Sequence, residues 1–226
     1  MKVFIFLIVL AASVVFFANK PHWYFRQGVS ENNISISHSG IKDYDFKTLL
    51  PDIAVVLKKS VIYKEDYKIR IFLTKSAGEF LFFAPLCRGK KFCLNPAADA
   101  VFVAPVFSEE GNLKISGWEL YDARNEIMKA AVQAVMAKSD STLGYFFMKD
   151  WRKTGYPEYV VDETPRYLNN ELCAPKDEPA YKEFETKMCV KYMLEVLRLP
   201  VDTVFKGNYS LESLLKEARI QYCVGQ

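Results

Sequence analysis

The spacing of the apolar residues changes near Tyr121, and this change constrains the fold more than any other feature of the chain. In the first half, apolar residues alternate with polar ones or form short blocks, which is typical of strands. In the second half they recur every three or four residues, which is typical of helices. Strands that come first and helices that come last predict an α+β fold, in which a small N-terminal β-sheet with one helix precedes a mainly helical C-terminal half.

The individual elements follow from the same spacing. Four strands are predicted, over 33–39, 68–74, 80–84 and 100–107. The helix among them is predicted over 46–60, with Pro51 near its start. In the second half, helices are predicted over 122–138 and 179–198. Ser210 is placed to cap a last helix.

The N-terminal segment 3–18 is uncharged and almost entirely apolar. A helix that continues from it to the aromatic residues 23–25 is long enough to cross a bilayer, and aromatic rings favour the headgroup region. We therefore predict that residues 1–26 form a membrane anchor or signal segment and that residues 27–226 form a single domain. The alternative to an uncleaved anchor is a cleaved secretory signal. We expect the domain on the extracytoplasmic side, in the periplasm or at the cell surface.

The composition limits the class of protein and its partners. Half of the residues are apolar and a quarter are charged, which is typical of a globular domain and argues against disorder. The net charge of +3 is too small to favour nucleic acid as a partner. Outside the cytosol, the neighbouring Cys87 and Cys93 can form a short disulfide. The alternative is that the five cysteines are mostly buried free thiols.

Three segments carry the argument about function. They are RNEIMKA at 124–130, WRKTGYPEYV at 151–160 and the predicted helix over 179–198. In order and spacing they resemble the gluzincin-like zinc metallopeptidases, and more closely a group of membrane-anchored bacterial proteins in which an HExxH helix is followed by W-x-x-E-G-Y. The resemblance extends over nearly the whole chain and implies a zincin-like C-terminal half.

In that family the two histidines of HExxH lie one helical turn apart and bind one zinc ion, and a later glutamate supplies the third ligand. The glutamate between the histidines takes a proton from the zinc-bound water. Carried over to this chain, the general-base position is Glu126. The three ligand positions are occupied by Asn125, Lys129 and Thr154. The resemblance therefore implies a degenerate site with no zinc and no other cofactor.

The framework around the lost ligands still matches the family, and it supplies the candidate cleft residues Trp151, Tyr156, Glu158 and Tyr159. Core packing is the alternative role for Trp151 and Tyr159, and a salt bridge is the alternative for Glu158. Gly155 is expected in a helix-start turn or a loop, and the run KDWRK at 149–153 is expected to be solvated.

Lys129 has two interpretations. In the first, its ammonium group occupies the space of the zinc ion and pairs with Glu126 or Glu158, which neutralises a partly buried carboxylate. In the second, Glu126 and Lys129 form an exposed pair on one face of a helix. Oxygen ligands from Asp122, Asn125 and Glu126 would suit Mg²⁺ or Ca²⁺, but Lys129 would repel a cation there.

These observations predict a membrane-anchored, metallopeptidase-like pseudoenzyme with a binding or scaffolding role. Its expected partners are the membrane, through residues 3–18, and a peptide or an envelope protein. The alternative is an active hydrolase that uses Glu126 as general base with atypical metal ligands. A third interpretation is an anchored structural module without this ancestry.

Overall fold

The computed structural model describes residues 18–118, 121–162 and 166–223. They form an α+β fold, which confirms the predicted class. The chain divides into two compact units: the first unit comprises residues 1–55 and 64–135, and the second unit comprises residues 56–63 and 136–226. The sequence predicts a single domain over residues 27–226, and this stays a prediction.

The first unit is built on a five-stranded mixed sheet. Its strands are β1 (Gln27–Glu31), β2 (Ile34–His38), β3 (Ile69–Leu73), β4 (Phe92–Asn95) and β5 (Ala100–Val103). The spatial order is β1-β2-β3-β5-β4; the two inner pairings, β2 with β3 and β3 with β5, are parallel, and the edge strands β1 and β4 are antiparallel to their neighbours. The strand β5 is apolar because both of its faces are covered, and every one of its residues is buried.

A second, two-stranded sheet follows in the same unit. It pairs β6 (Val106–Glu109) with β7 (Asn112–Ile115). The single strand predicted over 100–107 is therefore wrong, because the chain leaves the large sheet after Val103 and enters the small one at Val106. Pro105 lies at this break and has no backbone N–H to donate to a ladder.

Eight helices lie in the described residues. They are α1 (Leu49–Lys59), α2 (Ala77–Phe83), α3 (Ala123–Ser139), α4 (Thr142–Phe147), α5 (Asp150–Val161), α6 (Pro179–Lys191), α7 (Val201–Lys206) and α8 (Leu211–Cys223). A π-helical turn, Tyr192–Val196, continues α6. The predicted helices over 46–60, 122–138 and 179–198 are thus confirmed in their main parts, and Ser210 lies next to the first residue of α8.

The strand predicted over 80–84 is wrong, because this segment belongs to α2. Ser76 caps the helix: its Oγ accepts a hydrogen bond from the Glu79 N–H at 3.2 Å. Phe80 and Phe83, three residues apart, are buried, whereas Leu81 and Phe82 are exposed. The cap favours a helix from Ser76 onward, and the apolar run FLFF conceals the helical period that follows it.

The second unit contains a close contact between two helices. A Cβ atom added to Gly155, within α5, would lie 2.5 Å from the Thr186 carbonyl oxygen of α6. The sequence predicted Gly155 in a helix-start turn or a loop. This prediction is wrong, because Gly155 lies inside α5. Its missing side chain allows α5 and α6 to approach each other.

Two disulfides are present, one in each unit. Cys87–Cys93 is the short bridge that the sequence left open as one of two alternatives, and Cys173–Cys223 joins residues separated by 50 positions. Cys189 is a buried free thiol, and burial raises its pKa to about 12.

No helix among the described residues is long and apolar enough to cross a membrane. This finding contradicts the predicted transmembrane helix and, with it, the membrane-anchor and signal-anchor predictions. The longest described helix, α3, has 17 residues and spans about 25 Å, against a bilayer core of about 30 Å. Of the segment 3–18 that motivated the prediction, all but Ala18 lies outside the described residues.

Candidate functional site

Helix α3 carries three of the positions that the sequence singled out. It begins after Asp122, whose Oδ1 accepts a hydrogen bond from the Arg124 N–H at 2.9 Å and so satisfies a free donor of the first turn. Every residue from 126 to 137 is buried. Asn125 is half-buried, whereas Glu126 and Lys129 keep only 1% and 9% of their surface exposed.

Glu126 is held between two lysine side chains. Lys129 Nζ donates a hydrogen bond to Glu126 Oε1 at 2.7 Å, and Lys91 Nζ lies 3.0 Å from Glu126 Oε2. Lys91 directly precedes the first residue of β4 and is 7% exposed. We call these three residues the Glu126 cluster. A buried carboxylate is stable only when it is paired, and here each oxygen faces an ammonium group.

Two aromatic rings also lie beside Lys91. Its Nζ lies 3.6 Å from the centroid of the Tyr121 ring and 6.0 Å from that of Trp118. The negative faces of such rings attract an ammonium group, most strongly where water is excluded. The rings and the carboxylate together explain how a lysine side chain is accommodated inside the first unit.

The pairing of Lys129 with Glu126 agrees with one sequence-based interpretation, and their burial excludes the alternative of an exposed pair. Sequence reasoning missed Lys91. It belongs to the cationic run RGKK, which is usually solvated, and the only local signal of its burial is that the apolar strand β4 follows at once.

The donor atoms at these positions do not suit a zinc ion. Asn125 offers an amide and Lys129 an ammonium, where zinc requires imidazole, thiolate or carboxylate ligands. Nowhere in the described ranges do three or more His, Cys, Asp or Glu side chains form a group that could hold a metal.

Neither of the two histidines belongs to the Glu126 cluster. His22 is exposed. His38, on β2, accepts a hydrogen bond from the Ile41 N–H at its Nδ1 at 3.0 Å, and its ring packs 4.6 Å from Phe46. Burial lowers the pKa of His38 below its usual 6.5, so the ring is a neutral core residue.

The second motif, WRKTGYPEYV, forms most of α5 in the second unit. Thr154, the third degenerate ligand position, therefore belongs to a different unit from Asn125 and Lys129. Of the candidate cleft residues, Trp151, Glu158 and Tyr159 are half-buried and Tyr156 is buried.

Tyr156 is a core residue of the second unit. Its hydroxyl lies 3.0 Å from Ser60 Oγ, and its ring meets Phe205 edge to face at 5.0 Å. Burial raises the pKa of Tyr156. A ligand could reach this side chain only by displacing core packing. Tyr159 is more open, and burial together with its hydrogen bond to Glu195 raises its pKa to about 12.

Arg152 contradicts the expectation that KDWRK is a solvated run. It is 3% exposed, and its guanidinium donates to the Phe205 carbonyl at 2.6 Å and to the Gly207 carbonyl, at the C-terminal end of α7. These carbonyls have no partner within the helix and carry the negative end of its dipole. Arg152 thus joins α5 to α7 inside the second unit.

Comparisons with protein-family models, with curated proteins and with solved structures find no match for this chain. The gluzincin resemblance consequently stays a prediction.

Proposed function

We propose that this chain is a non-catalytic binding or scaffolding domain that acts outside the cytoplasm and descends from a gluzincin-like zinc metallopeptidase. The Glu126 cluster carries the proposal. Glu126 occupies the general-base position of the resemblance, and both of its oxygens are engaged by buried ammonium groups.

The access to Glu126 supports a non-catalytic role. A general base must contact the proton that it removes, either directly or through one water molecule. Glu126 is 1% exposed, Lys129 occupies Oε1 at 2.7 Å and Lys91 occupies Oε2 at 3.0 Å. A water molecule at Oε1 would have to replace the Lys129 ammonium group, and one at Oε2, which makes an ion contact with Lys91 but accepts no hydrogen bond, would have to enter a buried position beside it.

Electrostatics support the loss of zinc. An ammonium group about 4 Å from a metal ion opposes it by about 4 kcal/mol per unit of metal charge at an effective dielectric constant near 20. Lys91 and Lys129 would both act on an ion bound at Glu126. Asn125 adds only a neutral amide oxygen, so the single negative charge of Glu126 would have to offset the repulsion from both lysines.

The disulfides support the location. Disulfides form and persist in oxidising compartments, and each unit of this chain has one. We therefore propose a periplasmic or cell-surface site of action. A peptide or an envelope protein is the partner we propose, because Trp151 and Tyr159 remain half-buried on α5 and aromatic side chains are favourable contact residues.

A zinc titration and a peptide-turnover assay on the full chain test the loss of catalysis. We expect neither tight stoichiometric zinc uptake nor turnover. Turnover that disappears in Glu126→Gln and responds to chelators would instead establish the hydrolase alternative. A variant that combines Asn125→His and Lys129→His, both on α3, should bind zinc more tightly than the parent chain if the ancestry is correct; a well-folded variant whose zinc affinity is unchanged contradicts it.

Affinity selection from a random peptide library on the immobilised chain tests the binding role. We expect enriched peptides whose retention falls in Tyr159→Ala. The matched control is Tyr67→Ala, a surface tyrosine of the first unit beside Lys64. Equal retention by both variants and the parent chain would contradict a binding role for α5.

A further inference from the structure

The short disulfide encloses the lysine that holds Glu126. Cys87 and Cys93 close a loop whose residues Arg88, Gly89 and Lys90 are exposed, whereas Lys91 is buried. Phe92 is half-buried, so Lys91 is the one buried residue between the two cysteines, and its Nζ lies 3.0 Å from Glu126 Oε2.

The backbone of the loop places Lys91 at the junction of a turn and a strand. Gly89 has a φ of +75°, and the Lys90 N–H donates to the Cys87 carbonyl at 3.0 Å. The Lys91 carbonyl then accepts a hydrogen bond from the Ala104 N–H at 2.7 Å, and β4 begins at the next residue. The sheet fixes one side of Lys91, and the disulfide restricts the turn on the other side.

A buried ammonium group needs such a restriction. An ammonium loses hydration when it enters the protein, and a flexible four-carbon stem must be held in one geometry. A disulfide removes alternative conformations of the loop that it closes. Without the bridge, the turn through the exposed residues 88–90 can move, and Lys91 can regain hydration at the surface.

We propose that the Cys87–Cys93 disulfide is a redox-sensitive switch for the contact between Lys91 and Glu126. In the oxidised state the contact is made. A dithiol reductant donates two electrons and two protons: the S–S bond breaks, Cys87 and Cys93 become thiols, and the dithiol becomes a disulfide. Because Cys93 is half-buried and Cys87 is buried, we expect the dithiol to attack the Cys93 sulfur. The switch goes beyond the proposed function and does not depend on the ancestry.

The switch is local. Lys129 and Glu126 lie on the same helix, three residues apart, so their pair does not depend on the loop. Reduction therefore frees Oε2 of Glu126 from Lys91 while Oε1 keeps its hydrogen bond from Lys129.

Amine acylation of the full chain, read out by peptide mass spectrometry, tests the proposal. The quantity measured is the labelling rate of Lys91 relative to its exposed neighbour Lys90, with and without a small-molecule dithiol. We expect reduction to raise this ratio roughly tenfold or more, as local opening of a protected site does. The variant Cys87→Ser/Cys93→Ser should show the same high ratio without reductant and no further rise with it.

The labelling of Lys129 and the other disulfide supply the controls. Lys129 should stay protected in every state, and Cys173→Ser/Cys223→Ser under oxidising conditions should leave Lys91 protected. An unchanged Lys91 ratio in Cys87→Ser/Cys93→Ser overturns the switch. A joint rise of Lys91 and Lys129 also overturns it, because the first unit then opens as a whole. Neither result affects the zinc and turnover measurements, so the two proposals can fail separately.

Discussion

The two units accommodate a buried charge in different ways. In the first unit, the Glu126 carboxylate is paired with the side chains of Lys91 and Lys129. In the second unit, the Arg152 guanidinium is paired with backbone carbonyls at the end of α7. Side-chain partners can be removed singly by mutation, whereas backbone carbonyls stay in place for as long as the helix does. The first arrangement can therefore be adjusted, and the second is part of the framework.

The two charges also differ in how the chain packs near them. Glu126 and Lys129 lie in a fully buried stretch of α3 whose other residues, apart from Gln133, are apolar. In the second unit, on the helix that carries Arg152, α5 and α6 approach so closely that there is no room for a side chain at Gly155. Charge pairing dominates the first site and shape complementarity dominates the second, and mutations can separate the two.

The largest effect is expected for Glu126→Gln. This substitution removes the anion between two buried ammonium groups. Removal of one partner of a buried ion pair lowers the free energy of unfolding by about 3–5 kcal/mol. Urea denaturation of the parent and the variant measures it. The control is Glu109→Gln, which breaks an exposed pair with Lys114 and should cost at most about 1 kcal/mol.

A second variant sharpens this result. Replacing the whole cluster, with Lys91→Met, Glu126→Leu and Lys129→Met together, removes all three charges at once and should be much less harmful than Glu126→Gln alone. Equal losses in the single and triple variants would mean that packing rather than charge pairing holds this region.

Arg152→Met is expected to have the next largest effect. It removes the hydrogen bonds to the Phe205 and Gly207 carbonyls, and bonds from a charged donor are worth about 1.5–3 kcal/mol. Thermal or urea unfolding measures the loss. Lys182→Met, which removes an exposed pair with Asp177, is the control and should be close to neutral. If Arg152→Met costs no more than this control, the carbonyl contacts do not stabilise the second unit.

Gly155→Ala tests the close approach of α5 and α6. The new methyl group would meet the Thr186 carbonyl oxygen at 2.5 Å, and overpacking of this kind costs about 1–3 kcal/mol. Gly78→Ala is the matched control: Gly78 is also helical, but an added Cβ would find only Ser76 Oγ, at 3.9 Å. That substitution should stabilise α2 by up to about 1 kcal/mol. Equal effects of the two substitutions would contradict the tight contact.

The smallest expected effect is a pH dependence from His38. Burial lowers its pKa in the folded state, so on acidification the unfolded chain binds the proton first. The free energy of unfolding should therefore fall as the pH drops below about 6.5, where the usual histidine pKa lies. Urea titrations at pH 7.5 and pH 5.5 measure the change. His38→Asn keeps an acceptor for the Ile41 N–H without titrating in this range and should remove that part of the fall, whereas His22→Gln should leave it intact.

Local patterns in the sequence were sufficient for the α+β class, the long helices and the strands β2 and β3, but they missed β1, β4 and the separate β6–β7 sheet. The period of α3 and α6 and the alternation of β2 predicted those elements correctly, because each pattern records which side of an element is buried. The prediction failed at Phe80–Phe83, where a run of four apolar residues fits a strand as well as a helix. There the capping hydroxyl of Ser76 was the better signal.

The candidate site was predicted only in part. Lys129 and Glu126 lie three residues apart on one helix, so their pairing could be anticipated from spacing alone. Lys91 and Arg152 could not be identified, because charged residues in cationic runs are usually solvated and no local pattern marks these two as buried.

By itself, the sequence determined the α+β class and the position of the long helices, and it left open whether Cys87 and Cys93 form a disulfide. Only the tertiary structure decided that Lys91 reaches Glu126, that Cys173 bonds to Cys223 and that Gly155 lies against Thr186. The physical reason is that periodicity and capping act over one or two helical turns, whereas these contacts join residues far apart in the chain. A hydrophobic pattern shows that a side is buried, but the fold alone decides what is buried against it.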